Sequence, residues 1–66
     1  MEITLNGERR EMRAGDSVLD LIEGLGLPRD AVVIEHNGKI VDHGDYGATL
    51  LAGGDVIELV RIVGGG

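Results

Sequence analysis

The sequence has no cysteine, no phenylalanine and no tryptophan, and Tyr46 is its one aromatic residue. Without cysteine, neither a disulfide nor a thiolate-bound zinc ion can support the fold of these 66 residues. A chain of this length buries only about 60% of the surface that its unfolded state exposes. We therefore expect a single small domain whose core is built almost entirely from aliphatic side chains.

Basic residues are also scarce, since twelve acidic residues face six basic ones and give a net charge of −6. Nucleic-acid binding depends on basic patches and aromatic stacking platforms, so this composition argues against it and favours a basic protein partner. No apolar run approaches the roughly 20 residues that a membrane-spanning helix needs. Residues 1–5 resemble a strand rather than a signal peptide. The expected location is cytoplasmic.

The sequence offers no nucleophile paired with a base, so we expect no catalytic residue of its own. Asp42, His43 and Asp45 lie together in a polar segment that we interpret as a solvated loop. His36 adjoins a predicted turn and is expected to be exposed. Neither histidine has the spacing of metal ligands, and the composition offers no bulk to line a cofactor pocket, so no metal and no bound cofactor are expected.

Two Asn-Gly pairs, at residues 6–7 and 37–38, each predict a tight hairpin turn because both residue types tolerate positive φ. The first turn joins a strand at residues 1–5 to a charged edge strand at 8–13. The second joins strands at 31–36 and 39–41. Gly53 and Gly54 turn the chain into a last, strongly apolar strand at 56–62.

One helix is predicted between the hairpins, over residues 17–25. Ser17 is placed to cap the amide of Asp20, and the Asp20 carboxylate is placed to reach back to Ser17. Gly26 is placed to end the helix. The apolar stripe that should face the core is Val18, Leu19, Leu21, Ile22 and Leu25. An irregular segment at 42–52 should contact the core through Tyr46, Leu50 and Leu51.

The resulting order, ββαβββ, predicts the fold class α+β and a β-grasp architecture. An apolar final strand belongs in the middle of the sheet, beside and parallel to the first, since at an edge it would invite aggregation. A mixed sheet then packs on one helix. We expect the domain to occupy residues 1–63, followed by a flexible glycine tail at 64–66.

The final strand predicts a partner surface next to that tail. Ile57 and Leu59 should face the helix, which places the alternate residues on a sheet face that no second helix covers. Exposed apolar residues in such a position commonly mark a partner site. The residues that we expect to form this face are Val56, Glu58, Val60 and Ile62.

The tail itself, Gly64, Gly65 and Gly66, has no side chains that could pack. A thin extended backbone of this kind is suited to threading into a narrow cleft of another protein. The α-carboxylate of Gly66 is then the one group available for chemistry. Because a carboxylate is a poor electrophile, an ATP-using partner must first activate it.

Several segments together resemble the ThiS family of sulfur carriers in thiamin biosynthesis. They are the first hairpin at Asn6-Gly7, the helix start at residues 17–22, the hairpin at 35–41 and above all the stretch 54–66 that ends in glycines. The resemblance implies a carrier that is a substrate of other enzymes. A ThiF-like adenylyltransferase would use ATP and magnesium to adenylate Gly66. Sulfur mobilised by a cysteine desulfurase would convert it to a thiocarboxylate, from which a ThiG-like thiazole synthase would take the sulfur.

Other readings remain open. The small subunit of molybdopterin synthase (MoaD type) shares this fold and tail chemistry but usually has more aromatic and proline residues near the tail. Carriers that serve cysteine or other sulfur metabolites are also compatible with the sequence. In a different class, a ubiquitin-like modifier or binding module would use the same fold without sulfur chemistry. We expect the free protein to be monomeric.

Overall fold

The computed structural model describes residues 1–62 and has the predicted order of elements. Its strands and helix are β1 (Glu2–Leu5), β2 (Glu8–Glu11), α1 (Val18–Gly24), β3 (Val32–His36), β4 (Lys39–Val41) and β5 (Val56–Arg61). Short 3-10 turns at Arg29–Ala31 and His43–Asp45 precede β3 and follow β4. The predicted tail, Gly64, Gly65 and Gly66, lies outside the described residues.

The strands form one mixed sheet in the order β2-β1-β5-β3-β4. The last strand is central, as predicted, because it runs parallel to β1 on one side and antiparallel to β3 on the other. With a single helix packed on one face, the architecture is a β-grasp fold. None of the helices within residues 1–62 has the length and apolar character required to cross a bilayer.

Both Asn-Gly pairs make the predicted turns. Asn6 and Gly7 have φ values of 49° and 82°, and Asn37 and Gly38 have φ values of 51° and 86°. Asparagine and glycine reach this left-handed region at little cost, which is why these pairs favour two-residue hairpins. The turns fix the register, so that Leu5 lies opposite Glu8 in the first hairpin.

The helix begins and ends as its capping residues predict. The Asp20 amide donates to Ser17 Oγ at 3.2 Å, and the Ser17 amide donates to Asp20 Oδ2 at 2.8 Å. At the other end, Gly26 has a φ of 71°. The amide of Leu27 donates to the carbonyl of Ile22 at 3.2 Å, which closes a Schellman motif.

Aliphatic side chains from the helix and the sheet form the core, together with the one aromatic ring. The Tyr46 ring is completely buried, and its hydroxyl donates to the Val32 carbonyl at 3.0 Å. A buried hydroxyl needs such a partner, so the irregular segment is fixed to β3 at this point. The buried apolar residues are Ile3, Val18, Leu21, Ile22, Val32, Ile34, Tyr46, Leu51 and Ile57.

The prediction that Leu50 contacts the core is wrong, since 63% of this residue is exposed. The chain is extended here: Leu50 forms an isolated antiparallel bridge with Ser17, and the Leu51 amide donates to the Asp16 carbonyl at 2.8 Å. Neighbouring side chains of an extended segment point in opposite directions. Leu51 takes the inward position, so Leu50 points outward.

Candidate functional site

The open face of the sheet carries the apolar residues that the sequence placed there. Val56, Val60 and Ile62 are 46%, 62% and 49% exposed, whereas Ile57 between them is completely buried. Glu58 is exposed on the same face. Their predicted exposure is confirmed, and the irregular segment does not cover them because Tyr46 holds that segment on the helix side.

Sequence reasoning missed the neighbours of this face on β3 and β4. Val33 lies opposite Val60, Glu35 lies opposite Glu58, and Ile40 lies opposite Glu35. Residues directly opposite one another in a sheet point to the same face. Ile40 is 71% exposed and widens the apolar surface. A two-residue turn at 37–38 places residue 40 opposite residue 35, so the hairpin register in the sequence could have predicted that Ile40 belongs to this face.

Acidic side chains are crowded on this face. Glu35 and Glu58 stand directly opposite each other, and Glu2 and Glu11 do so on the neighbouring strands. Like charges in direct cross-strand pairs are destabilising. The second pair is compensated, because the Met1 amino group lies 3.6 Å from Glu11 Oε2 and Arg9 Nε lies 3.8 Å from Glu2 Oε1. Within residues 1–62, no ion pair reaches Glu35 or Glu58. A surface that combines exposed aliphatic residues with the uncompensated charges of Glu35 and Glu58 fits a partner that presents apolar and basic groups.

A polar network joins the start of β5 to the second hairpin. His36 Nε2 donates to Asp55 Oδ2 at 2.8 Å, and Asn37 Nδ2 donates to Asp55 Oδ1 at 3.0 Å. The Ala52 amide also donates to Asp55 Oδ2, and the Val56 amide donates to Asn37 Oδ1, both at 2.8 Å. The prediction that His36 is merely exposed is therefore wrong: the ring is three-quarters buried and bonded to a partner 19 residues away.

The network governs the ionisation of Asp55. Burial alone would raise the pKa of this carboxyl, because desolvation disfavours the charged form. Hydrogen bonds from Asn37, His36 and the Ala52 amide oppose burial, as does the positive charge of His36 when it is protonated. Together they hold the pKa of Asp55 below its ordinary value of 3.8. At neutral pH the Asp55 carboxylate is therefore ionised and accepts hydrogen bonds that join β5 to the second hairpin. It has no proton to donate in catalysis.

A shallow groove of about 570 Å³ lies on the opposite side of the sheet, between β2 and α1. Two of its carboxylates already serve the backbone. Asp16 Oδ2 accepts from the Arg13 amide at 2.8 Å, and Asp20 Oδ2 accepts from the Ser17 amide. Among the residues that line the groove, Asp20 thus caps the helix, Asp16 stabilises the preceding turn, and no acid is paired with a base. Within residues 1–62 there is also no cluster of side chains arranged to hold a metal ion.

A family model described as the ThiS family matches residues 3–66. Among curated proteins, the chain is 42% identical over 66 residues to the thiazole synthase of Magnetococcus marinus. It is 35% identical over 66 residues to the thiazole synthase of Paramagnetospirillum magneticum. In both cases the whole chain is matched but only 20% of the relative, so the chain spans about a fifth of the length of these proteins.

Two solved structures of thiamine biosynthesis proteins are also similar to this chain. The crystal structure of the thiamine biosynthesis protein (ThiS) from Geobacter metallireducens has a TM-score of 0.83 and 28% identity, with all of both chains covered. The solution structure of a thiamine biosynthesis protein from the same organism has a TM-score of 0.78 over 100% of this chain and 88% of that one. The crystal structure of SAMP1 from Haloferax volcanii shares the fold, with a TM-score of 0.62 and 21% identity.

Proposed function

Because the chain belongs to the ThiS family, we propose that it is a sulfur carrier protein that supplies sulfur for thiazole formation in thiamin biosynthesis. The carrier is not itself a catalyst. The observation that carries the proposal is the extent of the family match, which includes Gly64, Gly65 and the terminal Gly66 as well as the folded domain. The proposed carrier chemistry would take place on the α-carboxylate of Gly66.

The reaction sequence has two activating steps. A ThiF-like adenylyltransferase, using ATP and Mg²⁺, would attach AMP to the Gly66 carboxylate and release pyrophosphate. A persulfide sulfur supplied by a cysteine desulfurase would then displace AMP, and cleavage of the sulfur–sulfur bond by a thiol would leave a thiocarboxylate. Splitting a difficult substitution into two easier ones is the usual gain from covalent activation. The chain contributes the carboxylate and the surface that the enzymes hold.

The thiazole synthase relatives support the choice of acceptor. Proteins with that name contain a segment that matches all 66 residues of this chain. A carrier domain and its acceptor enzyme gain from being in one polypeptide, because linkage raises their effective concentration. We infer that the corresponding partner of this chain is a ThiG-like thiazole synthase, to which the thiocarboxylate would deliver its sulfur.

The open sheet face is the proposed docking surface for these enzymes. Val60 and Ile62 expose apolar area close to the point where the chain continues toward Gly66. Val56 extends this area to the start of β5, and Glu58 adds charge between them. Docking through this face would hold the domain while the tail threads into the active site of the partner. The Cβ-free glycines would then pass a channel that admits only a bare backbone.

Intact mass spectrometry tests this function. The chain is incubated with ATP, Mg²⁺, a ThiF-like enzyme, a cysteine desulfurase and cysteine. We expect a mass gain equal to the exchange of one oxygen for one sulfur. Deleting Gly66 should abolish the gain, and Gly65→Leu should block activation while the melting temperature stays unchanged. A chain that gains no sulfur beside a demonstrably active enzyme would refute the proposal.

A further inference from the structure

The side chain of Asn6 extends the sheet beyond the end of β1. The backbone turns away at Asn6 and Gly7, but the Asn6 side chain continues in the direction of the strand. Its Nδ2 donates to the Leu59 carbonyl at 3.1 Å, and its Oδ1 accepts from the Leu59 amide at 2.7 Å. The side-chain amide therefore imitates the main chain of one more strand residue and satisfies both polar groups of Leu59 on this side of β5.

Main-chain hydrogen bonds show toward which neighbouring strand each residue of β5 directs its amide and carbonyl groups. The Ile62 amide donates to the Ala31 carbonyl at 2.7 Å, and the Asn37 amide donates to the Val56 carbonyl at 2.9 Å. Because hydrogen-bonding direction alternates along a strand, the even-numbered residues of β5 bond toward β3. The odd-numbered residues, including Arg61, direct their amide and carbonyl groups toward the β1 side.

On the β1 side, the first hairpin provides hydrogen-bond partners for these main-chain groups only as far as Leu59. The Asp55 and Ile57 carbonyls accept from the amides of Thr4 and Asn6, each at 2.9 Å. The amide and carbonyl of Leu59 are hydrogen-bonded to the Asn6 side chain. Arg61 is next, and within residues 1–62 no hydrogen bond reaches its amide or carbonyl from this side. The central strand therefore becomes an open edge at Arg61.

We propose that this open edge is where the ThiF-like adenylyltransferase pairs an extended segment of its own chain with Arg61. The proposal deepens the proposed function and rests on it. Strand addition supplies main-chain hydrogen bonds without requiring a particular side chain. The added segment would also lie beside the exposed side chains of Val60 and Ile62, and would align the following residues with the partner before the carboxylate enters its active site.

A pair of substitutions isolates the main-chain contact. Arg61→Pro removes the amide hydrogen that faces the open edge, and it breaks no bond to β3 because Arg61 does not bond in that direction. Arg61→Ala removes the same side chain but keeps the amide. We expect the ThiF-like enzyme to bind the proline variant about 5- to 100-fold more weakly than the alanine variant, as befits one lost hydrogen bond with its partner group left unsatisfied.

Amide hydrogen exchange on the unaltered chain gives a second reading that does not depend on how the proline variant folds. The Arg61 amide should exchange rapidly in the free protein and slowly in the complex with the ThiF-like enzyme. The proposed pairing would be overturned if the folded proline and alanine variants bound with equal affinity, or if the complex left the Arg61 amide unprotected. Normal sulfur loading in the same experiments would still support the carrier function. Absence of sulfur loading in the unaltered chain would overturn both.

Discussion

The two faces of β5 have different tasks although they belong to one strand of six residues. Ile57 is completely buried against the helix, while Val60, three positions on, is 62% exposed. Burial of a side chain such as isoleucine contributes about 1.5–3 kcal/mol to folding. An exposed valine contributes little to folding, so Val60 is available for the proposed contact with a partner. Alternation along the strand thus separates the side chains that stabilise the fold from those proposed to contact a partner.

The largest effect on stability should come from the buried face. Ile57→Ala is expected to lower the free energy of unfolding by about 2–5 kcal/mol, because it removes apolar contacts and leaves a cavity. That is a large share of the roughly 3–10 kcal/mol expected for a domain of this size. Denaturant titration measures it, with Val60→Ala as the matched control, which should change stability by less than about 0.5 kcal/mol. Equal losses in the two variants would contradict the division of the strand.

Asp55, which directly precedes β5, should make the stability of the fold depend on pH. The pKa of Asp55 is lower in the folded state than in the unfolded chain, so the unfolded state takes up protons first as the pH falls. The contribution of Asp55 is thus fully present above about pH 4–5 and is lost as the pH falls through its folded pKa.

Asp55→Asn tests this contribution. At neutral pH it should destabilise the protein by about 1–3 kcal/mol, because hydrogen bonds to the carboxylate are weakened or lost. Urea titrations of both proteins between neutral and acidic pH should show the difference shrinking below pH 4. A difference that stays constant over this range would mean that Asp55 does not titrate with the fold.

The smallest effect on stability, with the opposite sign, is expected on the open face. Glu58→Lys replaces a repulsive cross-strand pair with Glu35 by an attractive one, so stability should rise by about 0.2–1 kcal/mol. Binding to the ThiF-like enzyme should nevertheless weaken about tenfold, because the surface would lose its charge complementarity. Glu23→Lys, on the exposed side of the helix, is the control that should leave affinity unchanged. Unaltered affinity of the Glu58→Lys variant would place the docking surface elsewhere.

Local signals in the sequence were enough to predict the order of elements. Positive φ at the two Asn-Gly turns and the reciprocal bonds of Ser17 and Asp20 depend only on residues close together in the chain. The central position of β5 followed from its apolar composition. The sheet register at the second hairpin was equally accessible, since a two-residue turn determines that Glu35 faces Ile40.

Contacts between distant residues were beyond the reach of local patterns. The pairing of His36 with Asp55 joins positions 19 apart, and that of Asn6 with Leu59 joins positions 53 apart. Both depend on where strands end relative to one another, which hydrophobic periodicity does not specify. Leu50 was misplaced for a related reason, because in an irregular segment two adjacent leucines give no indication of which one points inward.

Transfer of labelled sulfur tests the central claim most directly. The chain is loaded with radioactive sulfur from labelled cysteine, separated from the loading enzymes, and mixed with a ThiG-like thiazole synthase and the remaining precursors of the thiazole ring. The label should leave the protein and appear in the thiazole product, in an amount equal to the thiocarboxylate consumed. Label that stays on the chain while the synthase turns over a known ThiS carrier, or that moves instead into a molybdopterin precursor, would contradict the assignment to thiamin biosynthesis.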